Sequence, residues 1–117
     1  MEITVVDEAG FCFGVRRALD MAHEAADGKL AATLGPLIHN PQVVEDLEER
    51  GIRVVETVGE LDPGETVMIR THGSPPSVEQ EAQKRGAHLL DATCPLVSRA
   101  QEEGTRLCDE GCQVRVL

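Results

Sequence analysis

The sequence of 117 residues has no Trp, no Tyr and only two Phe, so its core has to be filled by Val, Leu, Ile and Ala. It has no apolar run long enough to cross a membrane. Its first residues, Met-Glu-Ile, lack the basic and apolar regions of a signal peptide. From these absences we expect a cytoplasmic protein.

Basic residues are also few. Eleven Lys and Arg stand against 21 Asp and Glu, which gives a formal net charge of −10. Nucleic acid and anionic lipid repel such a chain, so we expect no nucleic acid and no membrane among its partners. In a reducing cytoplasm its four cysteines suit metal or redox chemistry, or remain free, rather than forming structural disulfides.

The length suits one domain with a single core. Strands and helices alternate in the predicted secondary structure. Strands are predicted at residues 3–6, 30–34, 52–56, 66–70, 88–90 and 113–117, and helices at 15–26, 41–50, 77–85 and 96–108. Asn40 and Pro41 are typical of a helix start and Gly28 of a helix end. This order predicts an α/β fold with an open, mostly parallel twisted sheet and helices on both faces.

The most unusual stretch surrounds Cys12, which lies between the predicted strand 3–6 and the predicted helix 15–26. Both Phe residues of the chain flank it. Free N–H groups and the helix dipole at such a position favour a thiolate. Gly10 and Gly14 leave room for a ligand to approach the backbone. The alternative is a buried structural cysteine.

Cys94 has a similar setting, because it also follows a predicted strand and opens a helix, with Pro95 beside it. Cys-Pro pairs recur in iron–sulfur ligation. Cys12 and Cys94 are too far apart in sequence to form a zinc-type CxxC pair. The alternative for Cys94 is a small core residue at a helix start.

Two histidines, His39 and His72, stand in polar loops rich in Gly and Pro. Each can donate a hydrogen bond to an anion or pass a proton, and Thr71 and Ser74 offer further donors to a phosphate. The alternative for each histidine is a local turn contact. Three arginines make the region basic and suit an anionic substrate, although a solvated helix face also explains the first of them: Arg16, Arg17 and Arg70.

The two cysteines and the two histidines each follow a different predicted strand. Loops after parallel strands gather at the carboxyl edge of the sheet, where ligands bind. We therefore expect Cys12, His39, His72 and Cys94 to line one concave edge.

The remaining histidines and cysteines carry less information. His23 lies inside a predicted helix and His88 begins a predicted strand, so we interpret both as structural or surface residues. Cys108 and Cys112 have a spacing that suits a metal or a disulfide, but Gly111 breaks the helix between them. We interpret them as incidental free thiols.

A cysteine phosphatase or sulfurtransferase is one alternative function, because arginines follow Cys12. The phosphatase loop needs Cys-x5-Arg, and here Ala18 occupies the arginine position. A module that only binds diphosphates is another alternative.

Four motifs, taken in order and spacing, resemble the N-terminal part of the 4-hydroxy-3-methylbut-2-enyl diphosphate reductase (LytB) family. They are Gly-Phe-Cys-Phe-Gly-Val-Arg-Arg-Ala at 10–18, Ile-His-Asn at 38–40, Thr-His-Gly at 71–73 and Asp-Ala-Thr-Cys-Pro-Leu-Val at 91–97. The resemblance implies the last step of the non-mevalonate isoprenoid pathway. In that step an allylic diphosphate loses its hydroxyl reductively, giving isopentenyl and dimethylallyl diphosphates. It also implies a 4Fe-4S cluster held by three cysteines and an electron donor such as ferredoxin or flavodoxin.

Carried over residue by residue, the resemblance makes Cys12 and Cys94 two of the three cluster ligands. It makes His39 and His72 contacts of the substrate diphosphate, and it gives Cys108 no role as a ligand, nor Cys112. The family has three similar α/β domains, and its third cysteine lies in a later one. We therefore expect residues 1–112 to be the first domain, 113–117 to be the first strand of a truncated second domain, and this fragment to be inactive alone.

Overall fold

The computed structural model describes residues 1–7, 9–26 and 30–115. The helices are α1 (Phe13–Ala26), α2 (Pro41–Glu49), α3 (Pro76–Lys84) and α4 (Pro95–Asp109), with a 3₁₀ turn at Val58–Glu60. The strands are β1 (Leu30–Leu34), β2 (Arg53–Val55), β3 (Thr66–Ile69) and β4 (His88–Asp91). Each of these strands and helices was predicted, with bounds that differ by two residues or fewer.

All strand pairs of the sheet are parallel, and the spatial order is β2-β1-β3-β4. Leu34 lies opposite Val55 on one side and Ile69 on the other, so the strands end level with one another. From β1 the chain moves outward to β2 and then returns to the other side of β1 as β3. The topological switch point, where the loops diverge and a crevice opens, is therefore between β1 and β3.

Side chains that alternate along the strands build an apolar core on each face of the sheet. Val67 and Ile69 of β3 pack with Val78 and Ala82 of α3. Met68, between them in sequence, packs on the opposite face with residues of α1 and α2, among them Ala18, Ala22 and Leu47. The predicted α/β class, with a parallel sheet and helices on both faces, is confirmed.

The predicted strand at 3–6 is wrong. Ile3 and Val5 are 75% and 76% exposed, and the segment forms no ladder with the described strands. β-branched residues favour an extended backbone, but a strand also needs the edge of a neighbour, and this segment pairs with neither β2 nor β4. Cys12 therefore follows no strand.

The predicted strand at 113–117 is not formed over residues 113–115, which pair with none of the described strands. Val116 and Leu117 lie outside the described residues, as does Gly28, the predicted end of the first helix. The assignment of 113–117 to a second domain stays a prediction.

Helix α4 lies apart from both cores, because none of its described residues is buried. The radius of gyration, 16.7 Å, exceeds the value of about 13 Å typical of a compact domain of about 100 residues. No helix in the described ranges is long and apolar enough to span a bilayer.

Candidate functional site

His39 and His72 meet at the switch point of the sheet. His39 lies in the loop after β1 and His72 in the loop after β3, and their rings stack with centroids 5.8 Å apart and planes 16° from parallel. Asn40 accepts a hydrogen bond from Val43 N and starts α2 directly after His39. Strand order thus pairs two imidazoles that are 33 residues apart in sequence.

The pKa of His72 is below its usual value of 6.5. Partial burial of the ring is the largest cause, since it disfavours the charged form. The positive charge of Arg70 and that of His39 lower the pKa further. Burial and these two neighbouring charges therefore all oppose a proton on His72.

Thr71 joins three loops. Its N–H and its Oγ1 both donate to the carbonyl oxygen of Leu37, at 3.3 and 3.2 Å, and its own carbonyl accepts from the N–H of Cys94 at 2.8 Å. Leu37 belongs to the His39 loop. Because both donors of Thr71 are engaged, it is not free to bind a phosphate as the sequence suggested. It fixes the His39 loop, the His72 loop and the start of α4 to one another.

Cys94 lies against α1. A β-carbon built on Gly14 would be 2.5 Å from Cys94 Sγ, so only glycine at this position leaves enough space for the sulfur. Arg17 Nη1 donates to the carbonyl oxygen of Thr93 at 3.3 Å and ties the Cys94 loop to the same helix. Cys12 is exposed and directly precedes α1. The two cysteine segments therefore meet at the N-terminus of α1.

Sequence reasoning missed two side chains that hold these loops. Asp91 Oδ1 accepts from Thr93 N at 2.8 Å and also from the Thr93 hydroxyl. Gln101 Nε2 donates to the carbonyl oxygen of His72 at 3.3 Å and joins α4 to the His72 loop. The Asp-x-Thr spacing was a usable signal for the first contact, whereas the contact of Gln101 spans 29 residues and had none.

Cys12 and Cys94 are the cysteines near the N-terminus of α1. Nowhere in the described ranges do three or more His, Cys, Asp and Glu side chains form a group able to hold a metal ion. Cys108 and Cys112 lie at the far end of α4, where Gly111 N donates to Cys108 O and Cys112 N to Leu107 O in a C-terminal cap. Iron–sulfur clusters are held by about four Cys thiolates, so Cys12 and Cys94 could supply only part of such a ligand set.

The phosphatase alternative does not fit this geometry. A phosphatase loop wraps its backbone N–H groups around a phosphate between the cysteine and the arginine. Here α1 begins at Phe13, and the residues after Cys12 are already helical. The N–H of Arg16 donates to Cys12 O at 3.0 Å instead of pointing into a cradle.

Comparison with known proteins gives consistent results. The family model described as LytB protein matches residues 3–117. The 4-hydroxy-3-methylbut-2-enyl diphosphate reductases of Geobacter sp. (strain M21) and Geotalea daltonii are 46% and 47% identical over 118 aligned residues. In both comparisons the alignment covers all of this chain and 42% of the relative, so the chain spans less than half the length of these curated proteins.

Two solved structures resemble the fold. A structure of (E)-4-hydroxy-3-methyl-but-2-enyl diphosphate reductase, described as the terminal enzyme of the non-mevalonate pathway, matches with a TM-score of 0.80 at 42% identity. The match covers 93% of this chain and 39% of that one. The E-1-hydroxy-2-methyl-but-2-enyl-4-diphosphate reductase of Plasmodium falciparum matches with a TM-score of 0.83 at 27% identity, over 89% and 33% of the two chains.

Proposed function

The chain belongs to the LytB protein family, and from that premise we propose that it supplies part of the active site of a 4-hydroxy-3-methylbut-2-enyl diphosphate reductase. The reaction would remove the allylic hydroxyl reductively and give isopentenyl and dimethylallyl diphosphates. One observation carries the proposal: Thr71 links the stacked His39–His72 pair to Cys94, so the residues proposed to bind the anion and a residue proposed to bind iron lie in hydrogen-bonded loops. Residues 1–112 would form the N-terminal domain of that enzyme.

Cys12 and Cys94 would hold a 4Fe-4S cluster. The close approach of Cys94 Sγ to Gly14 supports this role, because it sets the sulfur at the N-terminal end of α1, where helix N–H groups lack intrahelical partners. Such N–H groups stabilise thiolates and bond to cluster sulfur. When bound, the cluster supplies electrons and a Lewis-acid iron for cleavage of the C–O bond. A third cysteine from elsewhere in a longer protein would complete the ligand set.

His39 and His72 would bind the diphosphate. Their imidazole N–H groups donate hydrogen bonds to phosphate oxygens, and these bonds become stronger when the imidazoles are protonated. With the diphosphate fixed there, the allylic alcohol would be oriented toward the thiol end of the site. A small electron carrier such as ferredoxin or flavodoxin would deliver the electrons. The cytoplasmic location stays a prediction.

The chain alone would not be a competent reductase. Two thiolates hold only part of a four-iron cluster, and a misplacement of about 1 Å costs on the order of a hundredfold in rate. The test is anaerobic cluster reconstitution of residues 1–117. The turnover rate with a strong one-electron reductant is then measured and compared with that of the Geobacter enzyme. We expect rates at least about a hundredfold lower. Comparable turnover would refute the incompleteness of this site.

Iron binding tests the ligand assignment separately. Cys12→Ser and Cys94→Ser should each lose most reconstituted iron with the fold intact by circular dichroism. Cys108→Ser is the matched control and should retain iron. Iron retained by both site variants would refute the assignment.

A module that binds diphosphate without iron is the second candidate, and the His39–His72 stack favours it because the stack needs no metal. It predicts micromolar binding of the diphosphate substrate by the iron-free chain. The reductase proposal predicts weaker binding, because two imidazoles leave much of the diphosphate in water. Calorimetric titration of the iron-free chain decides between them.

A further inference from the structure

We propose that Arg17 is a positioning residue for Cys94: its guanidinium holds the Cys94 loop on helix α1 and so sets the place of the Cys94 thiol relative to Cys12. This role rests on the proposed function for its purpose, since the two thiols are the proposed cluster ligands. The hydrogen bond itself is a property of the chain without metal.

Arg17 and Gly14 contact neighbouring points of one loop. Arg17 Nη1 donates to the carbonyl oxygen of Thr93 at 3.3 Å. The sulfur of the next residue, Cys94, lies against Gly14. Gly14 and Arg17 are three positions apart in α1, so they share a face of the helix. The loop therefore touches that face twice, once through a backbone carbonyl and once through the sulfur. Because Cys12 directly precedes the same helix, these contacts set the spacing of the two thiols.

Little else holds Cys94 against α1. Helix α4 has no buried residue and Leu96, in its first turn, is 71% exposed, so no apolar core draws the start of α4 onto α1. Cys94 N donates to Thr71 O, which ties it to the loop after β3 and not to α1. Within the described ranges, the bond of Arg17 is the one hydrogen bond between a side chain of α1 and the segment 91–94. Its loss therefore frees the sulfur to move.

The charge of Arg17 suits a thiol site. The residue is half-buried, and no carboxylate of the described residues forms an ion pair with it, whereas four other arginines each pair with an acidic side chain. The first turn of α1 holds no acidic residue either. A guanidinium bonded to a carbonyl keeps its positive charge, and a cation at a helix N-terminus favours thiolates. The same side chain thus positions the loop and supplies charge that complements a ligand sulfur.

NMR of the 117-residue chain without metal tests the positioning directly. The site of a β-carbon on Gly14 is 3.0 Å from Cys94 Cβ, so a nuclear Overhauser effect between Gly14 and Cys94 reports that the sulfur is in place. Arg17→Met keeps the aliphatic stem and the helix propensity but removes the donor. It should raise the population of displaced Cys94 about tenfold, the low end for losing a hydrogen bond to a charged group, and weaken the effect accordingly. Arg17→Lys keeps the charge without the planar fork and should fall between.

Arg16→Met is the matched control. It removes the same charge one position earlier, from an exposed side chain with no ion pair among the described residues. It should leave the Gly14–Cys94 effect unchanged. Iron retained after anaerobic reconstitution is the second measurement, with circular dichroism as the check on folding. Arg17→Met should bind iron about tenfold more weakly, and Arg16→Met should match the unsubstituted chain.

An unchanged Gly14–Cys94 effect in Arg17→Met would overturn the positioning role, and so would equal loss of iron in both methionine variants, which would indicate a general charge effect. If Arg17→Met does not fold, the unsubstituted chain still decides, because a held guanidinium shows contacts between its Nη protons and Thr93 and a freely rotating one shows none. If the unsubstituted chain binds no iron while Arg17→Met loses the Gly14–Cys94 effect, the role of Arg17 stands and the proposed cluster site is wrong.

Discussion

The sulfur of Cys94 lies on the backbone of Gly14, where a β-carbon would come within 2.5 Å of it. The two residues are 80 positions apart, and Gly14 stands in the first turn of helix α1, although alanine favours a helix more than glycine does. The glycine at this position is therefore explained by the neighbouring sulfur, not by the helix.

We predict that Gly14→Ala reduces the iron retained after reconstitution to less than about a tenth, because Cys94 has to move from the start of α1. Helix propensity alone predicts the opposite, a gain in stability of up to about 1 kcal/mol. Gly104→Ala is the control, since a β-carbon there meets nothing within 4 Å. It should stabilise α4 and leave iron unchanged. Full iron retention by Gly14→Ala would show that the sulfur tolerates displacement.

Thr71→Val should loosen the histidine pair. It removes the Oγ1 bond to Leu37 O, worth about 1 kcal/mol, and leaves the backbone bonds. We expect a lower Tm and weaker ring-current shifts between His39 and His72 in the proton NMR spectrum. Thr71→Ser should restore both, and Thr66→Val at the other end of β3 should leave the ring shifts unchanged. Unchanged shifts in Thr71→Val would mean that the backbone bonds alone hold the loops.

Replacing Cys108 and Cys112 together by Ser should leave iron binding unchanged. Both thiols are exposed at the C-terminal end of α4, a helix of 15 residues with Cys94 as the N-cap at its other end. Iron content after reconstitution, with circular dichroism as the check on folding, measures this. Loss of iron with the fold intact would move the metal site to the far end of α4.

Pyrophosphate affinity should rise as the pH falls. The free chain holds the pKa of His72 below 6.5, mainly by partial burial, and a bound anion raises that pKa. Affinity is then flat above the bound pKa, rises between the bound and the free pKa, and levels off below the free one. Titrations between about pH 5 and 8 measure this. His72→Gln should reduce the slope, and an unchanged slope would exclude His72.

Thr33→Val should stabilise the fold. Thr33 on β1 is fully buried, and its hydroxyl has no hydrogen-bond partner in the described part of the chain. The valine has the same shape without the unsatisfied group, so we expect a gain of about 1 kcal/mol and a Tm about 4 °C higher. Thr33→Ala, which leaves a cavity, should lower the Tm. A lower Tm for the valine variant would reveal a partner for the hydroxyl.

The parts of the fold that depend on local chemistry were predictable from the sequence. Asn40 and Pro41 specify the start of α2 through one capping bond, and the order of elements alone brings His39 and His72 to one edge. The segment 3–6 was not predictable, since β-branched composition does not reveal whether a partner strand is present. The contacts of Gly14 with Cys94 and of Arg17 with Thr93 were equally hidden, because they depend on where distant side chains point.

The lack of buried residues in α4 makes local stability uneven along the chain. Because no side chain of α4 is buried, opening its C-terminal turns costs little free energy. Their amides should therefore exchange with solvent well before those of β1 and β3. The first turn differs, because Val97 N and Ser98 N donate to Cys94 O and Cys94 N donates to Thr71 O. The C-terminal turns of α4 can thus unfold locally as a separate unit while Cys94 keeps its position.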